Sequence, residues 1–225
     1  MNLTRLRGSV DFWNHFAPWY EKWLSRGAYH MPLTRELSQM VEPGWRILDI
    51  GAGTGALSIP MAALGCSVTA LEPSPGMRDF FSGKLLSFGI ESVTLLPLRW
   101  EEFPIEKGKE FDLVVACNSL HLTAGGITGG MEKVFASGAA YACLITEVNQ
   151  SIFIDFKHIS ALQDAYAFLS IRRHAVDSSF YFESMDEVLD FEELLGRGIE
   201  AEMTDGKPMQ RDSTEVAVVW WELKK

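Results

Sequence analysis

One stretch, Ile47-Leu48-Asp49-Ile50-Gly51-Ala52-Gly53-Thr54-Gly55, constrains the chain more than any other. A short apolar run ends in three glycines at alternate positions, and a helix-like run, Ala56 to Leu64, follows. Glycines between a strand and a helix let the backbone turn sharply and approach a ligand closely. The helix behind them offers unpaired N–H groups at its N-terminus. A tight turn with no ligand is the plainer reading, and the residues downstream weigh against it.

From residue 45 onward, strand-like and helix-like runs alternate, which predicts an α/β fold with a mostly parallel sheet. Expected strands are Arg46 to Ile50, Ser67 to Leu71, Val93 to Leu96, Phe111 to Cys117 and Tyr141 to Val148. Helices are expected at about Gly76 to Phe88 and Gly130 to Ala136. The continuous apolar character of Phe111 to Cys117 suits burial on both faces. Residues 1–44 read as a helical cap, 45–149 as a ligand-binding core, and 150–180 as a helical insertion. Residues 181–225 read as a final helix and a C-terminal hairpin, all in a single domain. Ser184-Met185-Asp186-Glu187 has the spacing of a capping box that starts the last helix. The turn residues between 203 and 215 predict that Ile199 to Met203 pairs with Glu215 to Leu223 as a long hairpin.

The 225 residues carry 47% hydrophobic and 22% charged side chains, which is globular composition. Lys and Arg total 20 against 30 Asp and Glu, for a formal net charge of −10. Nine acids against Arg197 put −8 of that in residues 181–206, leaving −2 elsewhere. No sizeable basic patch is present, with Arg172-Arg173 a small exception, so a nucleic-acid partner is disfavoured. No 18-residue apolar run exists, and the first residues lack the apolar stretch of a secretion signal. Cys66, Cys117 and Cys143 form no CxxC pair, so they read as buried thiols, and the expected location is the cytoplasm. The five histidines show no metal-ligand spacing, so no metal is expected.

Two cofactor classes compete for the glycine turn. Gly51, Gly53 and Ala56 satisfy the dinucleotide pattern G-x-G-x-x-G/A. Against it stands Asp49, two residues before the first glycine, which suits a ligand carrying an amine and a sulfonium better than a pyrophosphate. The segment Leu48-Asp49-Ile50-Gly51-Ala52-Gly53-Thr54-Gly55 resembles the first motif of the class I S-adenosylmethionine (SAM) dependent methyltransferases. Three later segments resemble that family in order and spacing. Glu72-Pro73-Ser74-Pro75-Gly76-Met77 is similar to its D/E-x-S-x-x-M pattern. Phe111-Asp112 through Leu120-His121 is similar to its fourth-strand run. Leu98-Arg99-Trp100-Glu101-Glu102-Phe103-Pro104 departs from its G-D-A-x-x-L-P, with Arg99 where the acid stands.

The resemblance implies a Rossmann-like seven-stranded sheet, mostly parallel, with an antiparallel last strand and helices on both faces. It implies SAM as cofactor and transfer of a methyl group to a small-molecule acceptor. Cofactor contacts would come from Gly51, Ala52, Gly53 and Gly55 at the turn, and from Asp49 near the methionine end. Glu72 would take the ribose hydroxyls, with Pro73 and Met77 packing near the adenosine. Trp100 and Glu101 would flank the adenine, and Asn118 and Ser119 would lie beside the methionine part. His121 is the candidate general base, although this family's Leu-His is often structural.

The segment Asp11 to Trp23 is unusually aromatic, and Pro18 predicts a break into two helices. Phe12, Phe16, Tyr20 and Trp23 keep a helical stripe that packing alone would explain. The resemblance adds that Tyr20, and more weakly Trp13, would reach the cofactor. Glu147 and Asn149 end the fifth strand beside the same crevice. Within 150–180, Phe156, Ile159, Tyr166 and Leu169 would pack or line an acceptor pocket. An NAD(P)-dependent oxidoreductase and a non-catalytic SAM-binding protein are the alternatives.

Overall fold

The computed structural model of the protein describes residues 8–105, 111–148, 159 and 164–224. Asn149, Phe153, Phe156 and His158 lie outside them. Two N-terminal helices, α1 (Val10–Arg26) and α2 (Met31–Met40), precede the sheet. Ser9 caps α1 by accepting the Phe12 N–H at 3.0 Å, and Asp11 and Arg26 sit at the ends that suit their charges.

A seven-stranded sheet follows. Its strands are β1 (Arg46–Ile50), β2 (Ser67–Leu71), β3 (Val93–Leu96), β4 (Leu113–Cys117), β5 (Tyr141–Glu147), β6 (Tyr166–Asp177) and β10 (Ser213–Leu223). They lie in the order β3-β2-β1-β4-β5-β10-β6. The first five pair in parallel, and β10 is antiparallel to both β5 and β6. Helices α3 (Ser58–Ala63), α4 (Pro75–Phe88) and α5 (Gly126–Ala136) connect the parallel strands. This is the Rossmann-like sheet with an antiparallel last strand that the sequence predicts. A smaller sheet holds β7 (Phe180–Tyr181), β9 (Lys207–Gln210) and β8 (Glu202–Thr204) in that order. Helix α6 (Met185–Leu195) lies between β7 and β8 in the chain.

Strand alternation sorts the core into two layers. On β10, Val216, Val218 and Trp220 join Leu33, Met61 and Phe81 of α2, α3 and α4. Ala217, Val219 and Trp221 of the same strand join Met131, Val134 and Phe135 of α5. A third cluster, Phe180, Phe182, Val188 and Phe191, packs α6 and the small sheet against Phe16, Trp19 and Trp23 of α1.

Three expectations are corrected here. Residues 166–177 form an edge strand rather than part of a helical insertion. Pairing with β10 along its length overrides the helix-like spacing of Tyr166 and Leu169. The long C-terminal hairpin is absent: β8 pairs with β9, while β10 joins the main sheet. Asp205 and Gly206 both have positive φ (50° and 80°), which closes a two-residue hairpin turn locally. Finally, α1 runs unbroken through Pro18. The proline removes the N–H that the Asn14 carbonyl would otherwise accept, and α1 keeps its course while packing on α4. Asn14 Oδ1 accepts the Gly76 N–H at 2.7 Å, and the Asn14 carbonyl closes on the face of Gly76, where a Cβ would come within 2.7 Å.

Candidate cofactor and acceptor site

The turn after β1 is built by close approach. Gly51 and Gly53 have φ of 69° and 58°, a left-handed conformation that glycine adopts without strain. A Cβ on Gly51 would lie 2.5 Å from Ser119 Cβ. Ser119 itself is fixed, its Oγ donating to the Ile50 carbonyl at 2.5 Å. The tips of β1 and β4 are thus in contact. Glu72, at the tip of β2, completes the arrangement. Its Oε2 accepts the Gly53 N–H and its Oε1 the Ser74 N–H, both at 2.8 Å. Burial pushes the Glu72 carboxyl up, and these two N–H donors oppose the rise. Ser74 then caps α4 by accepting the Met77 N–H, so the same short loop starts the helix.

These tips floor a cavity of about 380 Å³. Of the residues predicted from sequence, Gly51, Gly53, Glu72, Pro73, Met77, Trp100, Glu101, Asn118, Ser119 and Tyr20 line it. Trp13 and Glu147 line it as well. Four predicted residues stand elsewhere. Asp49 lies beneath the turn, 2% exposed, and accepts from Ser58 Oγ at 2.6 Å. Burial raises its carboxyl to about 6, with Ser58 opposing and Glu72 adding. Ala52 gives its N–H to the Leu71 carbonyl. Gly55 faces Phe81, whose ring a Cβ would meet at 2.5 Å. His121 is exposed on a 3-10 turn (Leu120–Leu122), while its neighbours Leu122 and Thr123 reach the cavity wall. Neighbouring protein partly desolvates its ring and lowers its pKa, with Glu147 opposing.

The loop after β3 is anchored to α5. Trp100 Nε1 donates to the Gly130 carbonyl at 3.1 Å, and Lys133 Nζ lies 4.5 Å from the ring centroid. Glu101 Oε1 accepts the Ala124 N–H at 2.7 Å. The departure at Arg99-Trp100 from the family pattern therefore yields a buried, hydrogen-bonded tryptophan on the cavity wall.

Sequence reasoning missed Tyr29, His30 and Phe180, all on the wall. Tyr29 Oη donates to Glu147 Oε1 at 3.0 Å and accepts from Asn118 Nδ2 at 2.8 Å. Asn118 Oδ1 in turn accepts the Glu147 N–H at 2.9 Å, and Asn118 has a φ of 48°. Burial, then Glu147, pushes the Tyr29 phenol well above its usual range. Burial and Lys84 lower the His30 pKa to about 4, so its ring is neutral. Trp13 Nε1 and His30 Nδ1 are buried without a hydrogen-bond partner among the described residues.

Residues 47–136 match the methyltransferase domain family. Over 91 residues the chain is 33% identical to a ubiquinone biosynthesis O-methyltransferase of Xanthomonas axonopodis pv. citri, covering 37% of this chain and 35% of that one. Its fold is similar to a TehB-like SAM-dependent methyltransferase of Corynebacterium glutamicum, with a TM-score of 0.54 at 16% identity over 85% and 86% of the two chains. It is also similar to PH1948 of Pyrococcus horikoshii, a candidate RNA methyltransferase, with a TM-score of 0.60 at 14% identity over 88% and 85%. The chain spans about half the length of the curated relatives it matches. The family match therefore covers 40% of the chain, from β1 through α5, and the strand order is that of the Rossmann-like fold shared with these structures.

Proposed function

We propose that the protein transfers a methyl group from SAM to a small-molecule acceptor. The observation that carries this reading is the enclosure of the glycine turn. Helix α1 lies across it, so that a Cβ on Gly53 would meet the Tyr20 ring at 3.6 Å. The cavity beneath falls in the size range of small-ligand sites, and aromatic side chains make up much of its wall. The sequence has no sizeable basic patch, Arg172-Arg173 being a small exception, which further disfavours a phosphate-rich acceptor.

When bound, SAM would supply a methyl group on a sulfonium sulfur, for an acceptor's lone pair to bond to the methyl carbon as the S–CH₃ bond breaks and S-adenosylhomocysteine leaves. Gly51 and Gly53 let a ligand approach the backbone, and the Glu72 carboxylate keeps lone pairs for hydroxyl groups. Met77, Pro73 and Trp100 offer the apolar surface a purine needs. The chain's remaining task is to hold the acceptor in line and exclude water. The aromatic side chains of α1 serve both purposes.

The test is S-adenosylhomocysteine formation from SAM with an acceptor panel sorted by class: amines, phenols, thiols and RNA. The reading predicts turnover with a small molecule. Turnover with RNA alone would overturn it.

A further inference from the structure

Four rings on the cavity wall form a continuous chain. Trp13 and Tyr20 have centroids 6.2 Å apart, Tyr20 and Trp23 5.6 Å, and Trp23 and Tyr29 4.8 Å. The chain ends on a carboxylate, because Tyr29 Oη donates to Glu147 Oε1. The Tyr29 hydroxyl spends its proton on Glu147 and one lone pair on Asn118, so it is fixed in place. Glu147 Oε2 has no hydrogen-bond partner among the described residues.

The charges of this wall point one way. The buried Glu72 and the exposed Glu101 and Glu147 line it, and among the described lining residues the cation opposing them is Arg99, also exposed. His30 is neutral and adds none, while its buried Nδ1 lacks a partner among the described residues. Ring faces attract cations, and a carboxylate beside them strengthens the preference. A carboxylate or phosphate acceptor would meet like charge and no paired arginine.

We propose that the acceptor is a small amine, bound as its cation between the Trp13–Tyr29 ring chain and the Glu147 carboxylate. This rests on the methyltransferase reading above. One N–H proton passes to Glu147 and then to solvent, and the nitrogen keeps the lone pair that forms the new N–CH₃ bond as the S–CH₃ bond breaks. Tyr29 is a positioning residue that aims Glu147.

Calorimetric titration with a fragment set of primary, secondary and quaternary amines, each with a matched carboxylate, tests the proposal. Titrations are run with and without S-adenosylhomocysteine. We expect amines to bind at least about tenfold more tightly than their carboxylate partners. E147Q should remove that preference and leave S-adenosylhomocysteine affinity unchanged. Binding of no amine, parity between amines and carboxylates, or full preference retained in E147Q would overturn it. Failure of S-adenosylhomocysteine to bind, with amine preference intact, would instead overturn the methyltransferase reading.

Discussion

The ring of Phe81 occupies the space that a side chain at Gly55 would need, and a Cβ there would come within 2.5 Å of it. Gly55 also has a φ of 89°. Gly55→Ala is therefore strained twice, by overpacking and by backbone conformation. A loss of about 2–3 kcal/mol follows, a fall of roughly 5–10 °C in Tm for a chain of this size. Thermal unfolding of the variant checks this. An unchanged Tm would mean that Phe81 yields freely.

Asp49 predicts a pH dependence of opposite sign to most carboxylates. Its folded pKa, about 6, is above the ordinary 3.8, chiefly through burial. The folded state thus holds this proton more tightly than the unfolded state. Its contribution is most favourable below the ordinary value and declines as pH rises through about 6. Asp49→Asn keeps an acceptor for Ser58 and removes the buried charge. At pH 7.5 the variant should be more stable, by an amount on the order of 3 kcal/mol at most. The gain should vanish toward pH 4 in a series of denaturant titrations.

Glu187 behaves in the usual way. Burial raises its pKa, but hydrogen bonds from Arg26 and Lys22 outweigh this and hold it at about 2. These bonds span 2.8 Å to Arg26 and 2.5 Å to Lys22, tying α6 to the helix that covers the site. The stability they give is present above the ordinary carboxylate value and lost as pH falls toward 2. Glu187→Gln should cost about 1–2 kcal/mol at pH 7, discounted for solvent screening, a reduced part of that at pH 3, and almost nothing below about pH 2. Equal loss at both pH values would contradict the ion-pair account.

Tyr29→Phe removes one hydroxyl and strips two groups of a partner, Glu147 Oε1 and Asn118 Nδ2. Such a loss costs about 1–2 kcal/mol. Asn118 is then held at its positive φ with less support, so the tip of β4 should loosen. Amide exchange at Asn118 and Glu147 should speed up, while exchange in β1 stays unchanged.

The cavity floor at the strand tips was legible because its signals are local. Gly51, Gly53, Glu72 and Met77 each sit at a fixed offset from a strand end, and parallel pairing brings those ends together. The opposite wall of the cavity is assembled from distant segments. Tyr29 meets Glu147 across 118 positions, and Phe180 reaches the wall from the small sheet. No spacing rule encodes such meetings. The misread strand β6 carries apolar residues on both sides of an exposed edge, Phe168, Leu169 and Ile171 among them, so alternation is blurred. Pro18 was misread for a related reason. Its local preference is outweighed by the contact of Asn14 with Gly76, 62 residues away.

The central claim is that SAM binds over the glycine turn with its ribose on Glu72. Isothermal titration of S-adenosylhomocysteine and of NADH into the wild-type protein and Glu72→Ala tests it most directly. The account predicts binding of S-adenosylhomocysteine, none of NADH, and a loss in the variant of at least about 1–2 kcal/mol, or roughly five- to thirtyfold in Kd. Binding of NADH in place of S-adenosylhomocysteine, or equal affinity in the two proteins, would contradict it.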